Sequence, residues 1–221
     1  GIMLTASHNP FDDNGIKIFN RDGFKLSDEL EMHIEHIVFG NELRTDHLKS
    51  GDIGKAQRVE DARGRYIEFA KSTIDNQSLD GLNIVLDCAN GATYLIGPWI
   101  FRELGANVVK THVEPDGYNI NRDCGATHAE AVAANVREHG ADIGIAFDGD
   151  GDRVLFADEN GTVVDGDRIL LTCALDFKER GLLRQDTLVV TSMSNLGLHD
   201  AATKHGIHVE VTDVGDRYVI D

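Results

Sequence analysis

Short apolar runs alternate with amphipathic segments that end at glycine over most of this chain, and that alternation restricts its fold more than any other feature. Residues 82–87 form an apolar run of strand length, and Asn90-Gly91 turns the chain into a helical pattern stopped by Gly105. A second strand is expected over 107–113. Thr127-His128-Ala129-Glu130 has capping-box spacing, so a helix is expected to open there and stop at Gly140. Strands over 143–147 and 154–158, a helix over 165–180 and a strand over 188–191 continue the series. A helix over 196–205, stopped by Gly206, and a strand over 209–211 complete it. Repeated strand–helix–strand crossovers imply an α/β chain: α/β/α layered units with mixed, mostly parallel sheets.

The first third is less regular. Ser27 is placed to cap a helix running to Phe39, with Asp28 and Glu29 in its first turn. Residues 40–61 are polar and carry Gly40, Gly51 and Gly54, which reads as a loop with room for one short strand. A second helix is expected over 61–73, with Ala62, Tyr66, Phe69 and Ala70 near helical spacing. Residues 75–81, polar and ending in Asp-Gly, read as a linker. Gly-Asp-Arg recurs at 151–153, 166–168 and 215–217, but the unequal intervals exclude a solenoid. The chain opens on Gly1, and a new periodic segment starts at 214–221. Both features give the expectation of a piece of a longer protein, with the first and last units incomplete.

Composition narrows the function classes. With 21 basic against 38 acidic residues and a net charge of −17, the chain lacks the basic footprint of a nucleic-acid binder. No apolar stretch reaches the roughly 18 residues that a membrane-spanning helix requires, so no membrane partner is expected. The three cysteines, Cys88, Cys124 and Cys173, are odd in number and widely spaced. They argue against a disulfide framework and for a reducing, cytoplasmic compartment.

The sequence Asp148-Gly149-Asp150-Gly151-Asp152-Arg153 follows the apolar run 143–147 directly. Its glycines permit a tight path on which three carboxylates converge. An all-oxygen donor set suits a hard cation, Mg²⁺ or Ca²⁺. The place beyond the carboxyl end of a strand is where open α/β sheets hold their ligands. An acidic loop without a metal would have to bear crowded carboxylates with no counter-ion. Asp148, Asp150, Asp152 and Glu159 also match positions one, three, five and twelve of an EF-hand. Arg153 stands where that loop needs glycine, and the flanks read as strands, not helices.

A second polar segment, Thr5-Ala6-Ser7-His8-Asn9-Pro10, is followed by Asn14-Gly15-Ile16-Lys17. Ser7 is open to two readings, a nucleophile or a turn serine, and adjacent residues rarely form a nucleophile–base pair. Lys17 by itself is a surface lysine. Cys124 and His128 lack a second Cys/His pair at zinc-ligand spacing, and they read as parts of a loop and a helix start. His33 and His36 lie one turn apart on a solvated helix face. Gly-x-Gly-x-x-Gly is absent, so dinucleotide binding has no support.

Taken together, Thr-Ala-Ser-His-Asn-Pro and Asp-Gly-Asp-Gly-Asp-Arg resemble the active-serine loop and the metal loop of the α-D-phosphohexomutase superfamily. Residues 119–128, Asn-Ile-Asn-Arg-Asp-Cys-Gly-Ala-Thr-His, and 214–219, Val-Gly-Asp-Arg-Tyr-Val, are similar to its phosphoglucosamine mutase branch. The resemblance spans the whole chain. It implies that residues 1–72 are the C-terminal part of domain 1 with the serine loop. Residues 73–160 would be domain 2 with the metal loop, and 161–221 the N-terminal part of domain 3.

The resemblance further implies that Ser7 carries a phosphoryl group, with Mg²⁺ held by phosphorylated Ser7, Asp148, Asp150 and Asp152. Lys17 matches a lysine that handles protons or contacts phosphate, and His8 would orient the serine or its phosphate. Phosphoserine contributes about −2 and the three aspartates −3. Each unit repulsion costs about 4 kcal/mol at 4 Å in a surface-like dielectric, so cations are needed nearby. Arg153 can grip phosphoryl oxygens with its planar fork. The implied reaction converts glucosamine 6-phosphate to glucosamine 1-phosphate through a bisphosphorylated sugar, on the bacterial route to UDP-N-acetylglucosamine and cell-wall precursors. A phosphomannomutase or phosphoglucomutase of the same superfamily is an alternative, and so is a metal-binding fragment without activity. An incomplete first unit would expose apolar surface, so association into a homo-oligomer stays an open expectation.

Overall fold

Asn83–Asp87 (β3) carries three consecutive apolar residues, Ile84, Val85 and Leu86, because both of its faces are covered, as a central parallel strand requires. In the computed structural model, which describes residues 1–40, 49, 51, 54–75 and 77–220 (the side chain of Asp216 excepted), two compact units are present. One holds Gly1–Thr5 and Asn14–Gln77, the other Ala6–Asp13 and Ser78–Asp221.

In the first unit Ile2–Thr5 (β1) pairs antiparallel with Gly15–Ile18 (β2), setting Met3 opposite Lys17. The sequence reading did not anticipate either strand. Asp28–Phe39 (α1) begins after Ser27 as expected, yet the Ser27 side chain makes no capping bond. Asp28, Glu29 and Glu31 instead favour the helix start through its dipole. Ala62–Ser72 (α2) matches the second expected helix but not its expected face. Ile67 is the buried residue of that helix, whereas Tyr66 and Phe69 are 53% and 65% exposed. Residues 54–59 form neither helix nor strand. Most of the expected loop ahead of them, 41–48, 50, 52 and 53, lies outside the described residues, as does Asn76 in the expected linker.

The second unit is built on a five-stranded sheet in the order β4-β3-β5-β6-β7. Asn107–Thr111 (β4) and Ile143–Phe147 (β5) flank β3, both parallel to it. Val154–Ala157 (β6) and Val163–Val164 (β7) extend the sheet antiparallel. Thr93–Glu103 (α3) provides the crossover from β3 to β4, and Ala129–His139 (α4) leads into β5. Period-two alternation then divides the core. Val85 packs with Val132, Val136 and Ala146, while Ile84 and Leu86 pack with Ile145 toward Tyr94 and Phe101 of α3. The result is a three-layer α/β/α arrangement. The expected capping box at Thr127 is not formed: Gly125–His128 makes a 3-10 turn, and α4 starts at Ala129 without a side-chain cap. Gly140 does close α4, in the left-handed conformation that suits glycine.

Gly166–Glu179 (α5) is capped by Asp165, which accepts from the Arg168 amide at 2.9 Å. Thr187–Thr191 (β8) and His208–Thr212 (β9) form a parallel pair, connected through Leu196–Lys204 (α6). Asp216–Ile220 (α7) follows. Cys88, Cys124 and Cys173 are free thiols. Among the described residues no helix is long and apolar enough to cross a membrane.

Candidate active site

The run 148–153 forms the connection between antiparallel β5 and β6, whose last matched pair is Phe147 with Val154. Asp148 is fully buried. Its Oδ1 accepts from the amides of Gly151 and Arg153, each at 3.1 Å, so its orientation is fixed from within the loop. Its Oδ2 is also buried and has no hydrogen-bond partner. Burial raises the Asp148 pKa above the usual carboxylate range, and the charges of Asp152 and Asp150 add to the effect. One oxygen from each of Asp148, Asp150 and Asp152 lies within 4.8 Å of the others. Three converging carboxylates, one with a buried oxygen lacking a donor, make a donor set that fits a hard divalent cation. The metal loop is thus a candidate acidic metal site.

The serine loop lies against this connection. Ser7 takes a left-handed backbone (φ 50°), and the Asn9 amide donates to the Ala6 carbonyl at 2.8 Å, closing a turn around Ser7 and His8. A Cβ on Gly149 would stand 2.4 Å from the Ser7 carbonyl oxygen, so only glycine admits this approach. Gly91 is equally constrained on the far side, since a Cβ there would meet the Gly149 carbonyl oxygen at 2.1 Å. The Ala92 amide donates to that same oxygen at 2.8 Å. Two loops about 140 residues apart in sequence are therefore brought into contact through backbone.

The remaining expected site residues are distributed unevenly. The His8 Nδ1 is buried without a hydrogen-bond partner. His8, Phe11, Tyr118, Asn121, Arg122 and His128 line a cavity of about 400 Å³. Arg153 contributes its amide to Asp148 while its side chain is exposed. Lys17 stands on β2 in the first unit, half-buried.

Residues that the sequence reading passed over support the site from below. Asp87, fully buried at the end of β3, accepts from the amides of Ala89 (2.9 Å) and Gly125 (3.0 Å) and contacts His112 Nδ1 at 2.9 Å. Cys124 gathers with Asp87 and His112, not with His128. Burial, reinforced by the Asp87 and Asp123 charges, pushes the Cys124 thiol up to about 12, which makes it a poor metal ligand at neutral pH. A buried aspartate at the end of an apolar strand was the available signal, because such a group must find donors.

Three family models match in order: phosphoglucomutase/phosphomannomutase alpha/beta/alpha domain I over residues 1–45, domain II over 64–161 and domain III over 165–221. The chain belongs to the α-D-phosphohexomutase superfamily. Within that superfamily, a phosphoglucosamine mutase of Citrifermentans bemidjiense is 52% identical over 222 aligned residues, and one of Azorhizobium caulinodans is 53% identical. Each match covers 100% of this chain and 49% of the relative, so the chain spans about half the length of these relatives. Among solved structures, a phosphoglucomutase/phosphomannomutase family protein from Burkholderia thailandensis superposes with a TM-score of 0.79 at 25% identity, covering 99% of this chain and 46% of that one. An N-acetylglucosamine-phosphate mutase solved in its substrate complex shares the fold, with a TM-score of 0.66 at 17% identity over 100% of this chain and 57% of that one.

Proposed function

We propose that this sequence is part of a phosphoglucosamine mutase, interconverting glucosamine 6-phosphate and glucosamine 1-phosphate in the supply of UDP-N-acetylglucosamine for cell-wall precursors. The observation that carries the reading is the contact of the Ser7 backbone with Gly149, inside the three-aspartate loop. Whole-chain identity of 50–53% to relatives named phosphoglucosamine mutase favours this branch over a phosphomannomutase or phosphoglucomutase.

In this proposal Ser7 carries the phosphoryl group. The sugar hydroxyl attacks phosphorus, the P–Oγ bond of Ser7 breaks, and a bisphosphorylated sugar forms. After the sugar turns over, Ser7 Oγ takes the phosphoryl group from the other end and the original carrier is restored. No phosphate is consumed in the net reaction. Asp148, Asp150 and Asp152, together with phosphorylated Ser7, would hold Mg²⁺, which when bound offsets the charge accumulated on the transferring group. Arg153 would grip phosphoryl oxygens, His8 would orient the serine or its phosphate, and Lys17 would handle the proton or contact the phosphate. The proposed division is 1–72, 73–160 and 161–221, supported by the unit boundary at Gln77/Ser78 and by the succession of family matches. Free thiols agree with a reducing cytoplasm.

The test is turnover by a chain of the relatives' full length that contains this sequence, assayed on glucosamine, mannose and glucose 6-phosphates. The highest kcat/KM on glucosamine 6-phosphate is expected. Preference for mannose or glucose phosphate would overturn the branch assignment.

A further inference from the structure

The geometry points to Asn121 as the positioning residue of the serine loop, a role that rests on the mutase reading above. Its side-chain Nδ2 donates twice, to the Ser7 carbonyl at 2.9 Å and to the Asn9 carbonyl at 2.8 Å. Both donors of one amide are thereby spent on the turn that displays Ser7. Rotating that turn would break both bonds and would return two carbonyls and a 93%-buried amide to unsatisfied states. The left-handed backbone of Ser7 is a conformation that surrounding contacts must hold in place.

Asn121 is itself held firmly. Its backbone also lies in the left-handed region (φ 57°), which asparagine tolerates better than most residues. Its amide donates to the Ala89 carbonyl at 2.9 Å, and the Ala89 amide donates in turn to Asp87. The Gly125 amide reaches the other Asp87 oxygen, so buried Asp87 fixes both the end of β3 and the 119–125 segment. Asn90 adds a second tie: its amide donates to the His112 carbonyl and its Oδ1 accepts from Glu114. Asn121 therefore transmits the rigid sheet end to Ser7. Gly149 completes the seat, since a Cβ on it would also come within 2.8 Å of Asn121 Nδ2.

Phosphoryl transfer depends on alignment, and a displacement of about 1 Å can cost about 100-fold in rate. Asn121 touches the main chain beside the reacting residue, not the reacting atoms, so its loss should lower kcat and leave KM nearly unchanged.

Two substitutions separate this role from folding. Asn121→Asp keeps the size and the left-handed backbone but removes both donors, and Asn121→Gly keeps the backbone freedom and removes the side chain. In the full chain, each is expected to speed hydrogen exchange of the Asn9 amide while β5 amides keep their protection. Each is also expected to lower kcat about 100-fold with KM within about threefold. Unchanged Asn9 exchange in both folded variants overturns the inference, as does a loss carried by KM alone. Absence of mutase turnover in the unsubstituted protein of the relatives' full length would instead refute the function proposed above, and the exchange measurement would still decide whether Asn121 holds the loop.

Discussion

The carbonyl oxygen of Ser7 lies where a methyl group on Gly149 would come to 2.4 Å, so the serine loop and the acidic loop touch backbone to backbone. Gly149→Ala is therefore expected to push the two loops apart. Overpacking of this kind typically costs about 1–3 kcal/mol. A lowered urea midpoint, with Mg²⁺-dependent turnover of the full chain reduced more than stability predicts, is the outcome to look for. Unaltered turnover and stability would mean that the two loops do not need this contact.

Asp150→Ala should weaken Mg²⁺ or Mn²⁺ binding by at least about tenfold, or about 1.4 kcal/mol. It should also remove nearly all turnover in the full chain. Calorimetric titration with the metal alone reads the first effect without relying on activity. An unchanged affinity would exclude the acidic loop as the metal site.

Asp87→Ala should destabilise the second unit. The Ala89 and Gly125 amides would lose their acceptors in a buried setting, each at a cost of about 1–3 kcal/mol. Asp87→Asn retains an acceptor and should cost less. Equal denaturation curves for all three proteins would show that these bonds contribute little.

Only Cys173 is exposed, so one thiol should react with a maleimide in the native chain and three in denaturant. Burial raises Cys88 to about 11 and Cys124 to about 12, from 9.0 in each case. Between those limits the unfolded chain binds fewer protons than the folded one, so stability must fall as pH rises. Below pH 9 this contribution is fully present. Stability that is flat, or rises, from pH 9 to 11 in a Cys173→Ser background would contradict the burial of these two thiols.

Strand–helix alternation made the second unit legible, because β3, β5 and their helices obey clear periodicities and glycine stops. β1 and β2 went unread: four-residue strands are too short to establish a period. In α2 the choice of Tyr66 and Phe69 over Ile67 followed helical spacing without knowledge of the neighbouring surface. The acidic run announced itself through composition and its place after an apolar strand. Asn121 stood inside the 119–128 motif, but its tie to the serine loop gave no local sign, since its partners lie more than 110 residues away and are backbone carbonyls. Such bonds leave no periodic trace in sequence.

The 221-residue chain by itself should show no mutase turnover even when folded and supplied with Mg²⁺. Half the length of its relatives is absent from it, and held geometry can contribute about 7–11 kcal/mol to lowering a barrier. Turnover within about tenfold of a full-length chain would refute this.

Peptide mass spectrometry of the full-length chain, purified without phosphatase exposure, tests the phosphoryl-carrier assignment most directly. One phosphoryl group is expected on the peptide containing Ser7, still present after turnover of glucosamine 6-phosphate because each cycle restores the carrier, and absent from Ser7→Ala, which should also be inactive. Phosphate confined to another serine, or full turnover by Ser7→Ala, would contradict it.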